Sequence, residues 1–390
     1  MFDFSLWFAE LWKDVVAEMR KSILNAFVEL FPKRYIVFES KPDYADNTLA
    51  VFNEMIKRGV NKKYKLVWIL YSDKIPENAI REKNIYYATP NSKQRKIAIT
   101  FARCIITCNG FLHSTLNKAP NFFLSHGLYV KCPTSYYTVP DYVDYCFSPS
   151  KDLEEIQAKA LDIPRSKMVS LGFPRNDVLS NPPKINLHNY FDVEYKKLIV
   201  WYPTFRKHTS GMKTGSVHTF PIIWNDQAAI KINQAAKEHQ VLIVLKPHFA
   251  QDISQLQSLN LSNIVLIDDT FFSQHRITSY EFLANTDAML SDYSSVYFDY
   301  VLCNKPIGLI WEDYTEYERN PGFALDMQYY MKGGEKIYTD DDLCEFIKNV
   351  ANSNDTLYNE RNEIKKISNY SSDGKSTKRV VDFILEKSHI

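Results

Sequence analysis

Short apolar runs alternating with amphipathic segments constrain this chain more than any other feature. "RYIVFES" and "YKLVWIL" predict buried strands, with a helix over "NTLAVFNEMIKRG" between them. "CIITCN", "NFFLSHG", "VDYCFSPS" and "MVSLGFPRNDVL" predict further strands, and "KDLEEIQAKAL" a helix. The polar, proline-containing "SNPPKINLHNYFDVEY" reads as a linker, after which the alternation restarts. "KLIVWYPT", "VLIVLKPH", "NIVLIDD", "AMLSD" and "KPIGLIW" read as strands. "QAAIKINQAAKEH", "SYEFLANT" and "SSVYFDYVLCN" read as helices, and "DDDLCEFIKNVAN" and "STKRVVDFILEKS" as closing ones. Such alternation implies parallel sheets covered on both faces. The expectation is an α/β protein with two doubly wound domains facing a cleft. They span 33–180 and 197–370, with a closing helix over 371–390.

Residues 1–32 form a segment of their own. Phe4, Trp7, Phe8, Leu11, Trp12, Val15, Met19, Ile23, Phe27 and Phe31 recur at helical spacing, which predicts one long amphipathic helix ended by Pro32. A helix laid on its own core, a dimer seam and an anchor at a membrane surface all fit this pattern. Acidic Asp3, Glu10, Asp14, Glu18 and Glu29 outnumber basic Lys13, Arg20 and Lys21, which is unusual for an anchor to anionic lipid. The sequence shows no signal-peptide pattern and no run near the ~20 apolar residues that a spanning helix needs.

Composition narrows the partners. Lys plus Arg is 47 and Asp plus Glu is 46, so bulk charge does not argue for nucleic acid, and an anionic ligand must meet a local cluster. Cys104 and Cys108 lie on one strand, roughly 13 Å apart, too far for a disulfide. Scattered cysteines without zinc spacing read as free thiols of a reducing compartment. The acidic runs "LIDDT" and "TDDDL" read as turn and helix-cap residues, so no metal site is expected.

In open α/β sheets ligands bind beyond the carboxyl ends of the strands, and four such ends carry chemistry. "SHGLYVK" supplies His126, Gly127 and Lys131; a histidine there suits general base work near neutral pH. "YPTFR" supplies Thr204 and Arg206, whose planar fork suits phosphate. "LKPH" supplies Lys246 and His248, cations able to offset charge on a phosphoryl group. "LSDYSSVYFDY" supplies Asp292, Ser294 and Ser295 at an expected helix start, where unpaired N–H groups attract anions. Asp299 and the tyrosines of that stretch are expected to pack. Neither a Walker-type loop nor a GxGxxG stands in the sequence. The set reads as a pocket for a phosphorylated, nucleotide-linked donor.

The ordered set resembles the CDP-glycerol glycerophosphotransferases of wall teichoic acid and capsule synthesis. "SHGLYVK", "GFPRND" (172–177), "YPTFR", "LKPH", "SDYSSVYFDY" (291–300) and "NKPI" (304–307) all match in order. Leu128 and Tyr129 replace the Thr-Pro that often follows the family's His-Gly, and Phe249 replaces a proline after His248. The resemblance implies a GT-B architecture of two Rossmann-like domains, with the donor CDP-glycerol held mainly by the second. It implies a polyprenyl-pyrophosphate-linked glycan as acceptor, a peripheral enzyme at the cytoplasmic face of the membrane docked through residues 1–31, and no required cofactor. It also carries roles. His126, Arg206 and His248 are the expected catalytic groups. Thr204, Lys246, Asp292, Ser294 and Ser295 are the expected donor contacts. Gly127, Lys131, Arg175, Asn176 and Asp177 are expected on the acceptor side. Among family members the chain looks like the short ones that add a first glycerol phosphate. The oligomeric state stays open.

Overall fold

In the computed structural model the described residues are 4–131, 138–204, 220–223, 225–247 and 253–390, with side chains described from residue 15 onward. Arg206 and His248 lie outside them.

Two parallel sheets organise the chain. The strands of the first are β1 (Tyr35–Glu39), β2 (Lys65–Ile69), β3 (Ile85–Ala88), β4 (Ala102–Thr107), β5 (Asn121–Phe123), β6 (Tyr145–Ser148) and β7 (Met168–Ser170). Their order is β3-β2-β1-β4-β5-β6-β7. The second sheet contains β8 (Lys197–Trp201), β9 (Val241–Leu245), β10 (Ile264–Leu266), β11 (Ala288–Ser291), β12 (Ile307–Ile310) and β13 (Glu335–Ile337), in the order β10-β9-β8-β11-β12-β13. Each order runs outward from the first strand in one direction and then reverses. This is the doubly wound, Rossmann-like topology, with a switch point at β1/β4 and at β8/β11.

Local sequence explains the strands. In β9, "VLIVL", every residue is buried. Leu242 and Val244 join one core with Leu198, Val200 and Met289, while Val241, Ile243 and Leu245 join another with Ile199, Trp201 and Leu290. The period of two divides each strand between two apolar layers, so both faces of the sheet are covered. The helix Asp226–Glu238 covers one face with Ala228, Ala229, Ile232 and Ala236. It starts at Asn225, whose side chain accepts from the Ala228 amide. In the first sheet Phe38 stacks on Trp68, and Phe52 meets both edge-on.

Two strands escape the sequence expectation, β3 and β13. Both lie at sheet edges and are short and only partly buried, and β13 carries the charged Glu335 and Lys336. An edge strand packs one side only, so its apolar run is short and its pattern weak.

By compactness the chain divides into one unit of Met1–His126, Pro140–Cys146 and Val381–Ile390, and another of Gly127–Val139 and Phe147–Val380. The N-terminal helix spans Phe4–Glu29. Val28 is buried, whereas Met19, Ile23, Leu24, Phe27 and Leu30 are exposed, Leu30 at 81%. Among the described residues no helix is long and apolar enough to cross a membrane. Cys104, Cys108, Cys146, Cys303 and Cys344 are free thiols. Burial pushes the Cys104 thiol up to about 12 and that of Cys303 to about 11, so both stay protonated at neutral pH.

Candidate active site

The switch point of the second sheet collects the polar strand ends. β8 and β11 are parallel neighbours, with Trp201 opposite Leu290. Beyond them the Tyr202 amide donates to the Leu290 carbonyl (2.9 Å) and the Ser291 hydroxyl to the Tyr202 carbonyl (3.0 Å). The ladder thus continues past the strands and carries Thr204 to Asp292. The Thr204 amide donates to both Asp292 carboxylate oxygens at 3.0 Å, and its hydroxyl to Oδ1 at 2.5 Å. Asp292 is 1% exposed, so these donors supply the compensation a buried carboxylate requires. On the other side of β8, the Lys246 amide donates to the Trp201 carbonyl (3.0 Å). Thr204, Lys246 and Asp292 therefore stand on three adjacent strand ends, as the sequence pattern anticipates.

Lys246 Nζ lies 2.9 Å from Asp269, whose side chain is half exposed. Asp269 opens the helix Asp269–His275, and Asp268 caps it by accepting from the Thr270 and Phe271 amides. The hydrogen bond from Thr270, against an opposing burial effect, holds the Asp268 carboxyl below its usual range. In the other acidic run, Thr339 and Asp342 form a capping box on the helix Asp340–Ala351. Both acidic runs thus include helix caps.

The helix after "SDYSS" starts two residues later than expected. It spans Val296–Tyr300, with Ser295 at the N-cap and no side-chain cap. At five residues its dipole is small, so anion contact there depends on the half-buried Ser294 and Ser295 hydroxyls. Tyr293, Tyr297 and Tyr300 pack as expected, all fully buried. Their hydroxyls bond Asp313, the Gly333 amide and Thr286.

Asp299 departs from the packing expectation. It is 2% exposed and accepts from Arg175 Nη2 (2.8 Å), Asn176 Nδ2 (2.7 Å) and the Tyr280 hydroxyl (2.5 Å). The "GFPRND" segment thereby acquires structural partners. Asp177 accepts from the Ser376 and Thr377 amides (2.7 and 2.8 Å) at the start of the helix Ser376–Lys387. Gly172, at φ 81°, leaves room for Ser376, whose hydroxyl lies 2.3 Å from where a Cβ would stand.

At the His-Gly turn, Ser125 has φ 61°, a strained value for serine. In the first unit its carbonyl accepts from Asn47 Nδ2 (2.7 Å) and the Cys108 thiol (2.9 Å). The side chain of His126 is exposed. In the second unit Gly127 has φ 152°, and a Cβ there would meet Ser295 Oγ at 2.6 Å and Arg175 Nη2 at 3.4 Å. Lys131 pairs with Phe323 in an antiparallel bridge, and its ammonium lies 5.6 Å from the Tyr317 ring centroid. Gly127, Lys131, Arg175, Asn176 and Asp177 all belong to the second unit, His126 to the first. Sequence reasoning missed Asn47, Cys108 and Tyr280. None stands in a recognised motif, and each is defined only by its partner.

Two Rossmann-like sheets, the second with charged and hydroxyl groups at its switch point, define an α/β protein of the GT-B class. The chain belongs to the CDP-glycerol:poly(glycerophosphate) glycerophosphotransferase family, which matches residues 22–386. It is 22% identical over 241 residues to the teichoic acid glycerol-phosphate primase of Bacillus subtilis (strain 168), covering 62% of this chain and 57% of the relative. It is 23% identical over 242 residues to the teichoic acid ribitol-phosphate primase of Bacillus spizizenii, covering 58% and 55%. The chain thus spans about half the length of these curated relatives. Its fold is similar to that of the wall teichoic acid polymerase TagF, with a TM-score of 0.68 at 21% identity, covering 100% of this chain and 99% of that one.

Proposed function

We propose that this protein transfers glycerol phosphate from CDP-glycerol to a hydroxyl of a polyprenyl-pyrophosphate-linked glycan, releasing CMP. The observation that carries this reading is the convergence of Thr204, Lys246 and Asp292 on adjacent strand ends, in a chain of this family. In the proposed step the acceptor hydroxyl attacks the glycerol-bearing phosphorus. The P–O bond to CMP breaks, and the hydroxyl proton passes to His126. Lys246, with Arg206 and His248, offsets charge on the leaving phosphate, and the Ser294 and Ser295 hydroxyls grip phosphate oxygens. Asp292 orders the turn. The proposed step uses no protein-bound metal, so turnover survives exhaustive chelation; its loss, restored by a divalent cation, overturns that part.

CDP-ribitol is the second donor to weigh, because relatives include a ribitol-phosphate primase. The deciding experiment is a matrix of CDP-glycerol, CDP-ribitol and UDP-sugars against lipid-linked disaccharide acceptors, read by nucleotide release and product length. CMP release from CDP-glycerol alone supports the proposal. UDP release from a sugar donor sinks it.

The proposed location is the cytoplasmic face of the membrane, held peripherally by the N-terminal helix. The exposed Met19, Ile23, Leu24, Phe27 and Leu30 support this, and the acidic surplus of residues 1–31 makes apolar insertion the driving term. Flotation with neutral phosphatidylcholine vesicles compares the full chain with one beginning at Lys33. Equal soluble fractions refute the anchor.

A further inference from the structure

The carboxylate of Asp299 is buried, and the partners it has among the described residues lie outside the strand ends. Among the described residues its donors are Arg175, Asn176 and Tyr280, at 2.5–2.8 Å. Arg175 is itself 9% exposed at its side chain. Its guanidinium carbon lies 4.7 Å from the Tyr280 ring centroid and 5.8 Å from that of Phe173. Ion pair and aromatic faces together fix the plane of the guanidinium.

That plane has a use. Nη2 of Arg175, the nitrogen bonded to Asp299, is also the atom 3.4 Å from the Cβ position of Gly127. Ser295 closes the other side of the same position at 2.6 Å. Gly127 therefore rests against Arg175 and Ser295, and it is peptide-bonded to His126. Asp299 and Ser295 belong to one short element, the helix Val296–Tyr300 and its N-cap. The carboxylate thus holds one support of the Gly127 backbone, Arg175, and the helix it belongs to carries the other, Ser295.

Resting on the transferase reading above, we propose that Asp299 is a positioning residue for phosphoryl transfer: through Arg175 it fixes the Gly127 backbone from which the base, His126, is presented. A lysine at 175 keeps the charge but not the planar contact, because it has neither the fork nor the stacking face.

The test uses the full chain with Asp299→Asn and Tyr280→Phe, and Asp355→Asn as control. Asp355 pairs with the buried Arg361, which also bonds the Gly333 carbonyl and Asn304, none of them in the turn. Three quantities are read: the unfolding midpoint, kcat and donor KM, and amide hydrogen exchange across 127–131. Asp299→Asn is expected to lower kcat by ~10–100-fold, the scale of a misplaced reacting group, with donor KM unchanged and faster exchange at 127–131. Tyr280→Phe, which keeps the ring under Arg175, moves both readouts the same way by less. Asp355→Asn lowers the midpoint only. Wild-type kcat or wild-type exchange at 127–131 in the folded site variants overturns the proposal, as does an equal kcat loss in the control. If Asp299→Asn does not fold, Tyr280→Phe decides. Wild-type protein inactive on every donor defeats the transferase reading instead, and exchange at 127–131 still decides whether Asp299 holds the turn.

Discussion

Thr204 and Asp292 join the carboxyl ends of β8 and β11 through the amide and hydroxyl of one residue and the single carboxylate of the other. The pair closes the switch point of the second sheet from within. It ties the strand end that leads to Arg206 to the one that leads to Ser294 and Ser295. Thr204→Val keeps the shape and the backbone bond but removes the hydroxyl. Because both residues are buried, the expected loss is about 1–3 kcal/mol in urea unfolding, with a raised donor KM. Unchanged donor KM would show that the pair serves folding alone.

His126→Ala separates chemistry from stability. The side chain is exposed, so the unfolding free energy is expected to shift by no more than about 0.5 kcal/mol. Turnover falls by ~100-fold or more when a positioned base is lost, while CDP-glycerol affinity by calorimetry stays unchanged. Near-normal turnover removes His126 from the mechanism.

Asn47 tests the other neighbour of that histidine. Its Nδ2 bond to the Ser125 carbonyl is buried at both ends, and it restrains a serine at φ 61°. Asn47→Ala is expected to cost about 1–3 kcal/mol and to lower kcat with donor KM steady. Cys108→Ser, which keeps a donor to the same carbonyl, is expected to retain most turnover. A chevron analysis and initial rates on the same preparations check both.

Lys336 predicts a pH dependence. Its ammonium bonds the Met331 and Gly334 carbonyls and lies 5.0 Å from the Trp311 ring centroid. Burial lowers its pKa from the ordinary 10.5 to about 8. Between those values the unfolded chain binds the proton that the folded chain has released. Stability therefore rises with pH across this window, and the contribution is lost as pH falls through about 8. Denaturation midpoints from pH 7.5 to 10.5 are expected to show that slope in the wild type and a weaker one in Lys336→Met. Parallel slopes would remove Lys336 as its source.

The sequence by itself determined the alternation of strands and helices and the residues waiting at strand ends. Each is written in a local period or at a fixed step past an apolar run, as in "VLIVLKPH", where burial of every β9 residue leaves Lys246 next in line. It missed β3 and β13, which are short and partly buried, β13 with two charged residues among its three. Only the tertiary structure decided which polar groups meet. Asp299 finds Arg175 and Asn176 across 124 and 123 residues, and Ser125 finds Asn47 across 78. Asp299, expected to pack, is instead the centre of a buried polar network. A carboxylate in a chain shows its charge but not its donors. Those depend on strand order and on which loops the sheet brings side by side, information that no local window of residues contains.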